Sequence, residues 1–508
     1  MITFMNESAT PRSRPALYQS SRGQVVFPRQ RSLAQRLLRW LAVLACLGAV
    51  AGTIAVSVVL VEIGRTPREW APYLQRRAIG HRPVIRTAVD LTARWLLHAD
   101  RLGVTEPFPL PASLGAAVDR SGVAPAGRLR LVTSLQELAQ AAGDAKPGDV
   151  IQLQPGQYRF GGYSIKFNQP GTETAPITVR APVLGDVVIE ADGTETFHVG
   201  GPFWHFENLV MRGVCGDHSY CEHAIHVVGG ATGVVIRNNR FQDFNAQVKI
   251  NGEDGRFPDH GVIEGNTFTD TAPRVTGNPI TPIDLVAASF WRIEGNIIAD
   301  FVRGADGQAT YGAFAKGGGE GAVMQRNLVV CEWQLRGVPG EHVGLSLGGG
   351  GTDDYATRDL GHSGFEQVGG VIRDNLIVGC DDAGIYLNRA ARSRVDHNTL
   401  LDTAGIDAQF VESSATVTAN IVDGAVRVRD GAAMSALDND TTFLLGLFAG
   451  WHPQRGAFSN PAVLDLTWRK QPDRLAETDP RPDLCGHPRG ADSTPGAFDD
   501  FARCLAGP

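Results

Sequence analysis

The sequence predicts an all-β fold, a parallel β-helix of short stacked strands, preceded by one apolar helix and a helical spacer. Three observations predict it. An Asn-x-apolar motif recurs at Asn208, Asn239, Asn266, Asn296, Asn327, Asn375, Asn398 and Asn420. Most spacings lie between 22 and 31 residues, and one, from 327 to 375, is 48; such a quasi-period with strand-like flanks marks a solenoid. Between the motifs, short segments alternate apolar and polar residues, as half-buried strands do. Finally, 508 residues, with 60 glycines and 7% aromatics, are too many for one ordinary compact core, which leaves two domains or one elongated repeat.

The elements follow in order. Residues 1–39 form a basic tail with seven Arg and one Glu. Trp40–Val61 is 22 residues without a charge, long enough to span a bilayer. The basic tail favours the cytoplasmic side. The expectation is a single-pass bacterial inner-membrane anchor with the bulk of the chain in the periplasm. Residues 62–127 read as a spacer with short helices. Residues 128–440 read as the β-helix, opening with a helix whose Ser134 and Glu137 suit a capping box. Residues 441–508 read as a closing segment. Within the solenoid, Asn suits a bend because it tolerates left-handed geometry and its amide can bond to the next coil. The 48-residue spacing holds "GGGGTDDYATRDLGHSG", an inserted loop.

Composition narrows the partners. The formal net charge is −7, and residues 128–508 carry 31 Lys+Arg against 47 Asp+Glu. So acidic a body argues against nucleic acid. Cys215, Cys221, Cys331, Cys380, Cys485 and Cys504 permit three disulfides outside the cytoplasm, but spacing does not fix the pairing. Cys331 and Cys380 read equally well as small buried residues. Cys46 lies in the apolar segment, and no cysteine pair has CxxC spacing for zinc.

The strands at 224–228, 247–251, 282–286, 312–316, 344–348, 384–388 and 405–409 align with apolar residues at their second and fourth positions. Those residues face the core, so the third and fifth face out. The outward third column reads His226, Lys249, Asp284, Phe314, Ser346, Tyr386 and Asp407; the fifth includes Asn251, Lys316, Gly348, Asn388 and Gln409. Such a face suits a sugar: polar atoms address hydroxyls, and Phe314 and Tyr386 offer rings. His226, Lys249, Asp284, Phe314, Asn388 and Arg389 are the expected substrate contacts, with Lys249 and Asp284 read as an ion pair. Lys316 is one of only five lysines, in a chain that otherwise uses Arg. A compact amine can lose its proton when desolvated and act as a base, which guanidinium cannot.

Three stretches carry a resemblance: "SLQELAQAAGDAKPGDVIQLQPGQY…TAPITVRAP", "FWHFENLVMRG" and "KINGEDGRFPDHGVIEGNTFTD". Together they resemble the chondroitinase B and alginate lyase group, polysaccharide lyase family 6, over roughly residues 133–330. The resemblance implies a right-handed parallel β-helix and an acidic polysaccharide or oligosaccharide partner. It implies a lysine base for a uronic-acid C5 proton, matched by Lys316, with an assisting arginine and calcium held by acidic residues. Here the acidic pair corresponds to Ala309 and Tyr311, so no metal ligand is assigned. The following strand has no arginine; Arg389, Arg336 and Arg358 are the nearby substitutes, and Tyr311 or Tyr386 is the expected proton donor. A non-catalytic glycan-binding β-helix is the other reading. A glycoside hydrolase would need two carboxylates on one face, and Asp284 with Asp353 or Asp354 is the pairing available.

Overall fold

The computed structural model describes residues 33–505, apart from 105, 119–126, 305–308, 339, 351, 353–356, 360–363 and 477–480. It divides into two units, residues 1–63 and 64–508. In the first, helix α1 (Leu33–Ile63) contains a 27-residue stretch, Leu37–Ile63, apolar and long enough to cross a membrane.

The second unit is a parallel β-helix. Among the described residues three long sheets of 12, 10 and 11 strands run its length. The first begins at Leu129–Val132, the second at Ile165–Phe167 and the third at Gly156–Gly161. Each coil contributes one strand to each sheet, paired in parallel with its neighbours. The core between them holds Trp204, Phe206, Phe241, Phe268 and Trp291, all fully buried. At the N-terminal end helix α4 (Leu135–Gly143; α2 and α3 are placed below) caps the stack. Ser134 Oγ accepts from Glu137 N at 3.1 Å, and the Glu137 carboxylate accepts from Thr133 N at 2.7 Å.

The asparagine ladder lies at the bend from first to third sheet. Each side chain does two jobs. Asn296 Oδ1 accepts from Asn266 N (2.8 Å), while Asn296 Nδ2 donates to Ile263 O (2.9 Å) and to Asn327 Oδ1 (3.0 Å). The pattern repeats through Asn327, Asn375, Asn398 and Asn420, and it ends at Asn439. Two expectations need correcting. Asn208 is not in the column: it is in register with Asn238, and Leu209 holds the ladder position, its N–H donating to Asn239 Oδ1. Nor do the ladder residues take the left-handed bend. The preceding residue does, with φ near 55° at Asn238, Arg326, His397 and Ala419.

The spacer is not a free tether. Helices α2 (Pro67–Ala78) and α3 (Pro83–Asp100) pack on each other and on the last coils. The Arg68 guanidinium is buried, donating to Asp402 Oδ1 at 2.9 Å and to Asp100 Oδ2 at 3.0 Å. Arg427, on the second sheet, donates to both oxygens of Glu69 at 2.8 and 2.9 Å. The chain then returns along the third sheet: Gly115 N donates to Gly295 O, and Ala116 N to Thr267 Oγ1. The closing segment lies on the same sheet. Phe108, Leu114, Phe458, Phe498 and Phe501 together bury the outward apolar side chains Ile297, Leu328, Leu376 and Leu401. Disulfides join Cys215–Cys221, Cys331–Cys380 and Cys485–Cys504, and Cys46 is free and exposed.

Two outcomes follow from these contacts. Asn296→Ala strands Asn266 N–H and removes the side-chain donor to Ile263 O and Asn327 Oδ1 inside the stack, and should cost about 3 kcal/mol or more in chemical denaturation. Asn439→Ala, at the half-exposed end, should cost clearly less. The second concerns Asp382. Burial, then Glu69 and Glu341, push its carboxyl up to about 7 against the pull of Arg427. Its native state therefore holds the proton more tightly than the unfolded chain, whose Asp titrates near 3.9. That contribution is complete below about pH 4 and is lost as pH rises through 7. Thermal melts should show Asp382→Asn gaining on the wild type between pH 4 and 8.

Candidate functional site

With the later coils of the third sheet covered, the second sheet presents a polar face. Strand register lines up Lys166, His198, His226, Lys249, Asp284, Phe314, Ser346, Tyr386, Asp407 and Arg427 in one outward column. The alignment drawn from the sequence is thus the register of the sheet. The exposure of the column is uneven, however. His226, Lys249 and Tyr386 are half-buried, but Asp284, Phe314, Ser346 and Asp407 are buried.

Phe314 is the main correction. Expected as an open ring for a sugar, it is 4% exposed and packs with Val286, Ala287 and Tyr311. Lys316 Nζ lies 4.6 Å from its ring centroid. Asp284 is also sealed in, its Oδ2 accepting from Lys249 Nζ at 2.6 Å as the ion pair required. Asp407 is covered by Arg427 and Arg429.

Around Lys316 the chain makes room with glycine. A side chain at Gly318 would meet Arg358 O at 2.1 Å, and one at Gly348 would meet Asn388 O at 1.8 Å. Both take positive φ, so only glycine lets the inserted loop close over this strand end. Lys316 Nζ donates to Gly350 O at 3.1 Å. On the next coils Tyr386 Oη donates to Gln409 Oε1 (2.5 Å) and accepts from Asn388 Nδ2 (3.1 Å). Asn388 Oδ1 is buried with no hydrogen-bond partner. Lys316, Tyr386 and Asn388 thus gather about the 348–350 turn.

Burial pushes the Tyr386 hydroxyl up to about 12, with Arg429 opposing and Asp407 adding. Burial pushes Tyr311 higher still, helped by Tyr386, Asp382 and Glu341. Both phenols hold their protons at neutral pH. The three candidate arginines separate. Arg358 Nη1 donates to Asp259 at 2.7 Å and its backbone N to Gly317 O at 2.7 Å, beside Lys316. Arg389 points away, 4.5 Å over the Phe410 ring and 3.9 Å from Glu412. Arg336 bonds to Trp333 O on the far side of the coil. Asp353 and Asp354 lie outside the described residues.

Calcium does not fit the matched positions. A hard cation takes six to eight oxygen ligands, and Ala309 and Tyr311 carry no carboxylate.

At the N-terminal coils the same face carries a hydrogen-bonded group that sequence reasoning missed. Glu195 accepts from His198 Nδ1 (2.9 Å) and His226 Nδ1 (2.7 Å), and His226 Nε2 lies 2.6 Å from Asn251 Oδ1. Burial resists ionisation of Glu195, but these bonds outweigh it and hold the carboxyl well below the usual range. The signal was present: "TFHVG" at 196–200 fits the same strand template, with His198 third.

Among solved structures the chain is similar to pectate lyase Pel9A, at 14% identity over 77% of this chain and 100% of that one, TM-score 0.46. It is similar to an alginate lyase from Paenibacillus sp. str. FPU-7, at 18% identity over 61% and 99%, TM-score 0.37. A family 6 polysaccharide lyase from Pseudopedobacter saltans is 14% identical over 62% and 92%, TM-score 0.32. No curated protein matches the chain. The family resemblance carried by the first coils is borne out: residues 132–286 match the Chondroitinase B family model, a match that ends before Lys316.

Proposed function

We propose that the β-helix binds an acidic, uronic-acid-containing polysaccharide along the second sheet and breaks it by β-elimination, with C5 epimerisation as the variant of the same proton abstraction. The observation that carries this reading is the meeting of Lys316, Tyr386 and Asn388 about a glycine turn on the outward face. Lys316 Nζ, deprotonated, takes the C5 proton. The electron pair forms the C4–C5 double bond as the C4–O4 bond breaks, and Tyr386 Oη gives its proton to the leaving O4. Tyr311 is the alternative donor. His226, Lys249 and Asn388 line the path of the chain. The coils are taken as right-handed, as crossovers between parallel strands of one sheet almost always are. Helix α1 anchors the protein in the bacterial inner membrane with the solenoid in the periplasm.

A second reading is favoured by specific observations. Phe314 is buried, Arg358 is committed to Asp259, and the family match stops short of Lys316. These features suit a β-helix that holds a glycan without cutting it.

Uronic-acid polymers distinguish the two, because elimination creates an unsaturated product that absorbs in the ultraviolet. Lys316→Ala should lower its rate of appearance by about 10²–10⁴ with folding intact. Lys316→Arg should be nearly as damaging, since guanidinium keeps its proton. Rescue by Arg, or no chromophore from the wild type on any such polymer, would leave binding as the function. For the anchor, the chain should stay with membranes through carbonate extraction; its release as a soluble form would remove that part of the reading.

A further inference from the structure

Where the third sheet turns toward the second, beside the Cys331–Cys380 disulfide, three side chains from different segments converge. They are Glu332, His342 and Asp381. His342 is the second residue of the strand next to that of Lys316, in register with Thr310. It is fully buried, and neither ring nitrogen has a hydrogen-bond partner. Its Nδ1 lies 3.6 Å from Glu332 Oε1 and 3.8 Å from Asp381 Oδ2. Glu332 Oε1 is likewise buried without a hydrogen bond.

These separations are too long for hydrogen bonds. They are the separations of ligands that share an ion: a first-row divalent metal stands about 2.0–2.2 Å from nitrogen and oxygen donors, so two donors on one ion are about 3–4 Å apart. The Glu195–His198–His226 group makes the contrast. Its donors stand 2.7 and 2.9 Å from their acceptors and are satisfied by protons.

Charge points the same way. Arg68 and Arg101 face four carboxylates in this buried cluster: Asp100, Asp402, Glu332 and Asp381. Arg455 adds a cation but is itself paired with Asp423. Carboxylates thus outnumber the guanidinium groups that touch them, an excess that a divalent cation would reduce; uncompensated buried charge is otherwise costly. The arginines hold the outer carboxylate oxygens, Arg101 Nη2 lying 2.7 Å from Glu332 Oε2 and 3.2 Å from Asp381 Oδ1. That leaves Glu332 Oε1 and Asp381 Oδ2 turned toward the imidazole. A cavity of about 640 Å³, lined by Arg68, Arg101, Glu341 and Asp381 among others, provides a way in.

We infer that Glu332, His342 and Asp381 form a site for one divalent transition-metal ion, of which zinc is the best match. One imidazole and two carboxylates suit zinc better than calcium, which prefers an all-oxygen cage. The ion would clamp the start of the 341–347 strand to the neighbouring coil and, through Arg101 and Arg68, to the docked helices. The site is independent of the reading of Lys316.

The test is elemental analysis of the full-length chain, purified in detergent without chelators, then stripped and reloaded with Zn²⁺ or Mn²⁺ while melting is followed. The expected result is close to one ion per chain, and a melting temperature that climbs with free metal beyond saturation. Glu332→Gln and His342→Ala should each abolish both, whereas His198→Ala should change neither. If His342→Ala does not fold, Glu332→Gln, which keeps the volume, decides the matter. A wild type that neither carries nor responds to metal overturns the site. So does metal retained in Glu332→Gln at the wild-type level.

Discussion

Each coil must turn a sharp corner around a core of buried apolar side chains, and the corner leaves a backbone N–H facing inward. The asparagine ladder meets that demand. One amide accepts from the N–H of the coil before it and donates to the carbonyl three residues ahead of that N–H; the same geometry is repeated from coil to coil. A buried amide without a partner is costly, so a coil whose asparagine slipped by one residue would lose both bonds and turn its strand inside out. The ladder thus fixes register, and register fixes which side chains share a column. The meeting of Lys316, Tyr386 and Asn388 is a consequence of that constraint as much as of any local preference.

The sheets then divide the labour. From Ile297 onward the third sheet carries apolar side chains on both faces, and this part of its outer face is covered by the returning spacer and the closing segment. The second sheet carries charge outward. At its C-terminal end that face is occupied by α2 through Arg427 and Glu69, so the open stretch lies on the earlier coils. The docked helices therefore do more than connect an apolar helix to a solenoid: they delimit the surface left for a ligand. They also bring Arg68 and Arg101 into a corner where carboxylates outnumber guanidinium groups, the setting of the inferred metal site.

The insertion between residues 348 and 366 adds a layer that repeats alone would not have. Arg358 bonds to Asp259 and to the backbone beside Lys316, and glycines at 318 and 348 let it approach. Lys316 stands between this loop and the buried ring of Phe314. A partly desolvated amine over an aromatic face is a different chemical object from a lysine on an open sheet, and the loop makes the difference.

The sequence by itself determined the solenoid, the stacking of Asn239 through Asn420 and the outward column from His226 to Asp407. These depend on periods of two residues and of one coil, which are local and repeat often enough to read. The same logic failed at single positions. Asn208 matches the motif yet sits one residue out of register, because a motif carries no phase, and Asn439 ends the ladder without an apolar residue two positions on. Depth was beyond the sequence. Whether Phe314 is a platform or a core residue depends on a loop and on Tyr311 folding over it. Whether the spacer is free depends on Arg68 finding Asp402 more than 300 residues away. The gathering of Glu332, His342 and Asp381 had no spacing to announce it, because a corner between coils joins residues by height in the stack. Pattern sets what repeats; only tertiary packing sets what is covered, and covering is what gives these side chains their chemistry.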